Sequence, residues 1–168
     1  MAEQGDRRTP AGETATEVIL STFRVNGLLL AAGDQLAGED GLTSARWQVL
    51  GAVALATRPL TVPQIARRMG LTRQSVHTTV NRLVGAGLVE LVPNADHRRS
   101  QLVRLTELGQ ARYEAIDRKQ AVWVNDLATG LHSSDLEATA RVLNELCTRL
   151  EADLARTKPE KGDDPHAR

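Results

Sequence analysis

Around the valines of the run RQSVHTTVNR stand Arg73, Gln74, Ser75, His77, Thr78, Asn81 and Arg82. Guanidinium forks, amides, hydroxyls and an imidazole are the groups that bond phosphate oxygens and pair with base edges, and no large apolar side chain interrupts them. Further on, the turn-forming run PNADHRRS carries Asp96, His97, Arg98 and Arg99. A projecting arginine suits the negative potential of a narrow minor groove, and Asp96 is placed to orient one guanidinium through a bidentate pair. The chemistry is that of gripping a nucleic acid. Taken alone, the same residues also describe a solvated helix face and an exposed ion pair of little energetic worth, so the surrounding elements must decide.

Those elements are legible. Thr61-Val62-Pro63-Gln64 has the form of a capping box with proline in the first turn, where its missing donor does no harm. Ile65 and Met69 give the helix an inner stripe, Ala66 permits close approach, and Gly70 supplies the permissive backbone of a sharp turn. Thr72 can cap the next helix, where Val76, Val80 and Leu83 fall at spacings of four and three and so must face the core. That phase leaves the polar set outside. Gly85 and Gly87 end the helix, residues 88–92 and 101–105 have strand composition, and Pro93-Asn94-Ala95-Asp96 provides turn chemistry between them.

Helices flank this module. Ile19, Leu20, Phe23, Leu28 and Leu30 recur at helical spacing, and Thr43 or Ser44 opens a second helix that stops at Arg58-Pro59. After the strands, Thr106 caps a long helix running to Gly130; Ser133 or Ser134 can cap a last one, with Leu136, Leu143, Leu150 and Leu154 near heptad spacing. The wide apolar surfaces of the first and last helices need a cover, and a second copy of the chain is the economical one; the alternative is an ordinary intramolecular bundle.

Formal charge is zero over 168 residues, yet from Arg58 to Thr106 eight arginines face only Glu90 and Asp96, a local net of +6. A basic middle between acidic flanks attracts phosphate locally while the whole chain stays neutral. The single cysteine, Cys147, excludes an intramolecular disulfide and fits a reducing cytoplasm; in an apolar stripe it reads as a small core residue. His77, His97, His132 and His166 are too scattered to announce a metal site, no cofactor motif is present, and neither a leader nor a long uninterrupted apolar run suggests export or a membrane. No nucleophile elbow, phosphate loop or acid-base set points to an enzyme.

The run from Leu42 to Gly109, with LTSARWQVL, the helix-turn-helix and GLVELVPNADHRRSQLVRLTELG, resembles the MarR family of bacterial transcription regulators. The resemblance implies a homodimer with interlocked terminal helices, recognition helices in successive major grooves of double-stranded DNA, and wings in the flanking minor grooves. It makes Arg98 the minor-groove residue, Asp96 its partner, and 73–82 the major-groove reader. It further implies a crevice for a small aromatic or anionic effector, for which Phe23, Arg46 and Trp47 are the candidates; ordinary core and surface roles are the alternative for these three.

The expected fold is therefore mainly α with a small β-hairpin wing, a winged helix-turn-helix domain flanked by long dimerisation helices. The expected division is a disordered tail over 1–13, a dimerisation helix over 14–38, the DNA-binding domain over 42–105, dimerisation helices over 106–157 and a second tail over 158–168. The function expected is a cytoplasmic, nucleoid-associated DNA-binding regulator, a repressor of a pseudo-palindromic operator. A winged-helix protein-interaction module without DNA binding is the alternative.

Overall fold

The capping box at Thr61 sets the first half of the helix-turn-helix. In the computed structural model, which describes residues 7–39, 41–97 and 99–157, Gln64 Oε1 accepts from the Thr61 backbone N–H at 2.8 Å and from its hydroxyl at 3.0 Å. Helix α3 (Val62–Arg68) follows. It ends where Gly70 takes a positive φ of 62° and the Leu71 N–H reaches back to the Ala66 carbonyl at 2.9 Å. The Thr72 hydroxyl then accepts from the Ser75 N–H at 3.1 Å and opens helix α4 (Arg73–Gly85). Gly87, with φ 69°, turns the chain out of α4 into the wing.

The wing is an antiparallel pair, β2 (Val89–Val92) and β3 (Leu102–Leu105), with Leu91 opposite Val103. Glu90 and Arg104 also stand opposite each other, and two guanidinium nitrogens meet Glu90 Oε1 at 2.8 and 2.7 Å. Strand β1 (Leu60–Thr61) adds to the other edge of β3, giving the order β1-β3-β2. Two residues are too few for an alternating pattern, so β1 leaves no sign in the sequence.

Before this module lie helices α1 (Pro10–Gly38) and α2 (Ser44–Ala54); after it come α5 (Glu107–Ala128) and α6 (Ser133–Arg156). The chain divides into two compact units between Trp123 and Val124, a boundary that falls within α5. The first unit holds the core, in which Leu50, Ile65, Val76, Leu83, Val103 and Ile116 are fully buried. Asp34 of α1 accepts from the Ser44 N–H at 2.6 Å, tying the start of α2 to the end of α1. Tyr113 packs against that core, and burial first, then the charge of Asp117 at 3.3 Å, holds its phenol above the usual range.

The start of α5 is fastened to the root of the wing. The Thr106 N–H donates to the Leu88 carbonyl at 3.1 Å, and its hydroxyl donates to the Gly87 carbonyl at 2.6 Å while accepting from the Gly109 N–H at 3.0 Å. The contact is so close that a Cβ at Gly109 would lie 1.8 Å from the Leu88 carbonyl oxygen. Only glycine fits there.

Several expectations need correction. Helix α1 begins at Pro10, inside the stretch expected as tail, because Thr9 accepts from the Gly12 N–H at 3.1 Å and proline suits the first turn. Residues 1–6 and 158–168, the remainder of the expected tails except Arg7 to Thr9, lie outside the described residues. At 29 residues, α1 is long and apolar enough by mean hydropathy to cross a bilayer, which the interrupted apolar runs of the sequence do not suggest. Neither serine caps α6: His132 holds the cap position without a side-chain bond, and both serines lie within the helix. Cys147 is exposed rather than core, since α6 has no buried residue at all.

Gly109→Ala is expected to lower stability by about 1–3 kcal/mol or more, because a backbone carbonyl cannot move aside as a side chain can. Urea denaturation checks this, with Gly85→Ala as the control. Gly85 sits in a helix with nothing within 4 Å of where an added methyl would lie, so alanine there should be neutral or stabilise by about 0.5–1 kcal/mol. Equal midpoints for the two variants would refute the close-approach argument.

Candidate nucleic-acid interface

The inner face of α4 is fixed by Val76, Val80 and Leu83, each 0–1% exposed. Arg73, Gln74, Ser75, His77, Thr78, Asn81 and Arg82 are all exposed, the partition that the spacing predicts. Thr79 is buried and donates its hydroxyl to the Ser75 carbonyl at 3.0 Å, leaving Thr78 as the outward threonine. One turn apart on the outer face, Asn81 Nδ2 lies 3.3 Å from His77 Nδ1.

A hollow of about 460 Å³ separates α4 from the wing. Its polar lining is Arg73, Gln74, His77 and Asn81 from the helix, with Arg99, Ser100 and Gln101 from the wing; Val62, Pro63, Val80 and Leu91 supply the apolar part. Ser100 and Gln101 carry no signal of a site in the sequence. They sit between turn and strand, and only the fold of the wing back toward α4 gives them a site to line.

At the wing tip, Asn94 Oδ1 accepts from the Asp96 N–H at 3.0 Å, and the His97 carbonyl accepts from the Ser100 N–H at 2.9 Å. These turns leave Asp96, His97 and Arg99 exposed. Arg98 lies outside the described residues, and so does its expected pairing with Asp96. The arginines of the basic segment are not equivalent: Arg104 is committed to Glu90, whereas Arg73 and Arg99 line the hollow from opposite sides.

The three effector candidates are not gathered into one wall. Trp47 is half-buried against the core, where it lies 3.6 Å from the position of a Cβ on Gly33; Arg46 is half-buried beside it in sequence. Phe23 is 70% exposed and stands ten residues before Gly33, about 15 Å along the helix. A different hollow, of about 520 Å³, lies between the end of α1 and residues 119–123 of α5. Ala32, Leu36, Val122 and Trp123 line it with Gln35, and Lys119 Nζ meets Glu39 Oε2 at 3.0 Å. None of the three candidates lines that hollow; its walls come from segments some eighty residues apart, which no local pattern connects.

The chain is similar to known proteins in sequence and in fold. Residues 40–100 match the model of the MarR family. A protein of Mycobacterium tuberculosis, itself uncharacterised, is 42% identical over 136 residues, spanning 81% of this chain and 94% of its own length. The transcriptional activatory protein BadR of Rhodopseudomonas palustris is 29% identical over 106 residues, 62% of this chain and 61% of its own. The crystal structure of a MarR family transcription regulator superposes with a TM-score of 0.69 at 27% identity, covering 87% of this chain and 95% of that one.

If the two sides of the hollow grip phosphates, Arg73→Ala and Arg99→Ala should each weaken binding to duplex DNA. Each should also flatten the dependence of log affinity on log salt by about one unit. Titrations across a salt series measure both, and an unchanged slope for either variant would remove that arginine from the phosphate contacts.

Proposed function

This chain belongs to the MarR family of DNA-binding transcription regulators, and from that footing we propose that it is a homodimeric repressor of a pseudo-palindromic operator. The observation that carries the reading is the split of α4 into a buried apolar face and an exposed face of base- and phosphate-bonding groups, with Arg99 of the wing lining the hollow beside it. On this reading Arg73, Gln74, Ser75, His77, Thr78, Asn81 and Arg82 meet the major groove. Arg98, oriented by Asp96, enters the adjoining minor groove, and Arg99 holds the strand between them. Two copies would then place their recognition helices about 34–36 Å apart, one turn of the duplex. Bound across a promoter, such a pair excludes polymerase.

The dimer reading is supported by the surfaces left uncovered. Leu20, Phe23 and Leu28 of α1 are 61–70% exposed, and Leu150 and Leu154 of α6 are 57% and 65% exposed. Apolar faces of this extent, on helices that add little to the buried core, are the signature of an interface. The same covering explains how a helix with the length and hydropathy of α1 can belong to a DNA-binding protein rather than a membrane one. For release, the hollow between α1 and α5 offers a small aromatic ligand the ring of Trp123, beside Lys119 and Glu39, which are already paired with each other. An effector seated there would shift the two-state balance only through its different affinity for the DNA-bound and free forms.

Leu150→Glu with Leu154→Glu should yield folded monomers with weak operator binding, whereas Arg98→Ala should lose operator affinity and stay dimeric. Light scattering and a mobility-shift titration at fixed salt separate the two effects. A dimeric double-glutamate variant would refute the assigned interface, and unaltered affinity in Arg98→Ala would refute the minor-groove role. Transcription in vitro from a promoter carrying the selected operator tests the sign: added protein should lower the transcript yield.

A further inference from the structure

We propose that Gln74 and Asn81 are the base readers of α4, and that the half-site they select holds two adenines about three base pairs apart. The inference rests on α4 being the major-groove element, and it assigns that element a sequence. It starts from the phase of the helix. Val76, Thr79, Val80 and Leu83 are the buried side, and at about 100° per residue the line opposite them runs through Gln74, Thr78 and Asn81. Arg73 and Arg82 fall on either side of that line.

The hollow beside the wing divides the face in the same sense. Arg73, Gln74, His77 and Asn81 are its helical wall, whereas Thr78 and Arg82 stand outside it, so Arg73 is on the wing side of α4 and Arg82 on the far side. A helix laid in the major groove turns its middle to the base edges and its flanks to the two bordering strands. The guanidinium groups therefore fall to phosphates and the amides to bases.

An amide suits one base above the others. Its N–H and carbonyl oxygen together match N7 and the N6 amino group of adenine in a two-bond pairing. The contact of 3.3 Å between Asn81 Nδ2 and His77 Nδ1 does not remove this capacity, because in either orientation the amide keeps a donor beside an acceptor lone pair. The distance between the two readers follows from the helix. Asn81 comes seven residues after Gln74, which at a rise of about 1.5 Å per residue is about 10.5 Å along the axis. Base pairs rise by about 3.4 Å, so a helix lying along the groove brings the two amides to positions about three steps apart. Both side chains are exposed, so they can be replaced without opening the core.

The test is selection of bound duplexes from a randomised pool by the full-length protein and its variants at one fixed salt concentration. Gln74→Ala should erase the adenine preference at one position of the half-site and Asn81→Ala at another, each lowering the ratio of adenine to the other bases there by roughly five- to hundredfold. Gln74→Arg, which presents two donors, should replace adenine by guanine at the Gln74 position and leave the Asn81 position as it was. Such a gain of preference cannot come from misfolding. Arg73→Ala and Arg82→Ala should weaken binding to all sequences alike. The proposal is overturned if the two amide variants weaken all sequences equally, if they alter nothing while Arg73→Ala weakens binding, if Gln74→Arg still selects adenine, or if the two positions are adjacent. Were none of the four alanine variants to change affinity or selected sequence, the reading of α4 as the major-groove element would itself fall.

Discussion

The burial of Val76, Val80 and Leu83 is the constraint on which the functional face depends. Burying each such side chain stabilises the fold by about 1.5–3 kcal/mol, and rotating α4 by even one position would expose the stripe and bury arginine or asparagine in its place. The helix is thus locked about its own axis by apolar packing. Its outward residues need no further device to face away from the core: their direction follows from the stripe behind them.

The wing is held to that helix from behind as well. Thr106 bonds both Gly87 and Leu88, and Gly109 lets α5 pass against the Leu88 carbonyl. Because Leu88 also continues from the end of α4 through its bond to the Leu83 carbonyl at 2.9 Å, helix, wing and α5 share one joint. The same α5 supplies Lys119, Val122 and Trp123 to the hollow it shares with α1.

Charge is distributed with similar economy. Arg104 opposite Glu90 is an exposed pair within the wing and contributes little to stability. Its effect is to leave the local field to arginines without such a cross-strand partner, among them Arg73 and Arg99 on facing sides of one hollow. Apolar surface is distributed in the opposite sense: most of the exposed large apolar side chains among the described residues stand on α1, α5 and α6, and α4 exposes only Val84.

Much of this was legible in the residues themselves. Thr61 with Gln64, Thr72 with Ser75, the positive-φ glycines at 70 and 87, and the four-three spacing of Val76, Val80 and Leu83 all act within one or two turns of chain. Local hydrogen bonding and helical periodicity decide such features, so the sequence by itself determined the helix-turn-helix, the wing strands and the exposed polar set. The start of α1 carries no apolar period, only the cap of Thr9 and a proline in the first turn, and the stripe holding Cys147 does not by itself bury it. Tertiary structure alone decided the pairing of β1 with β3, the requirement for glycine at 109, and the pairing of Glu39 with Lys119. Each joins segments distant in the chain, and contacts of that kind leave no period, cap or turn in the sequence from which they could be read.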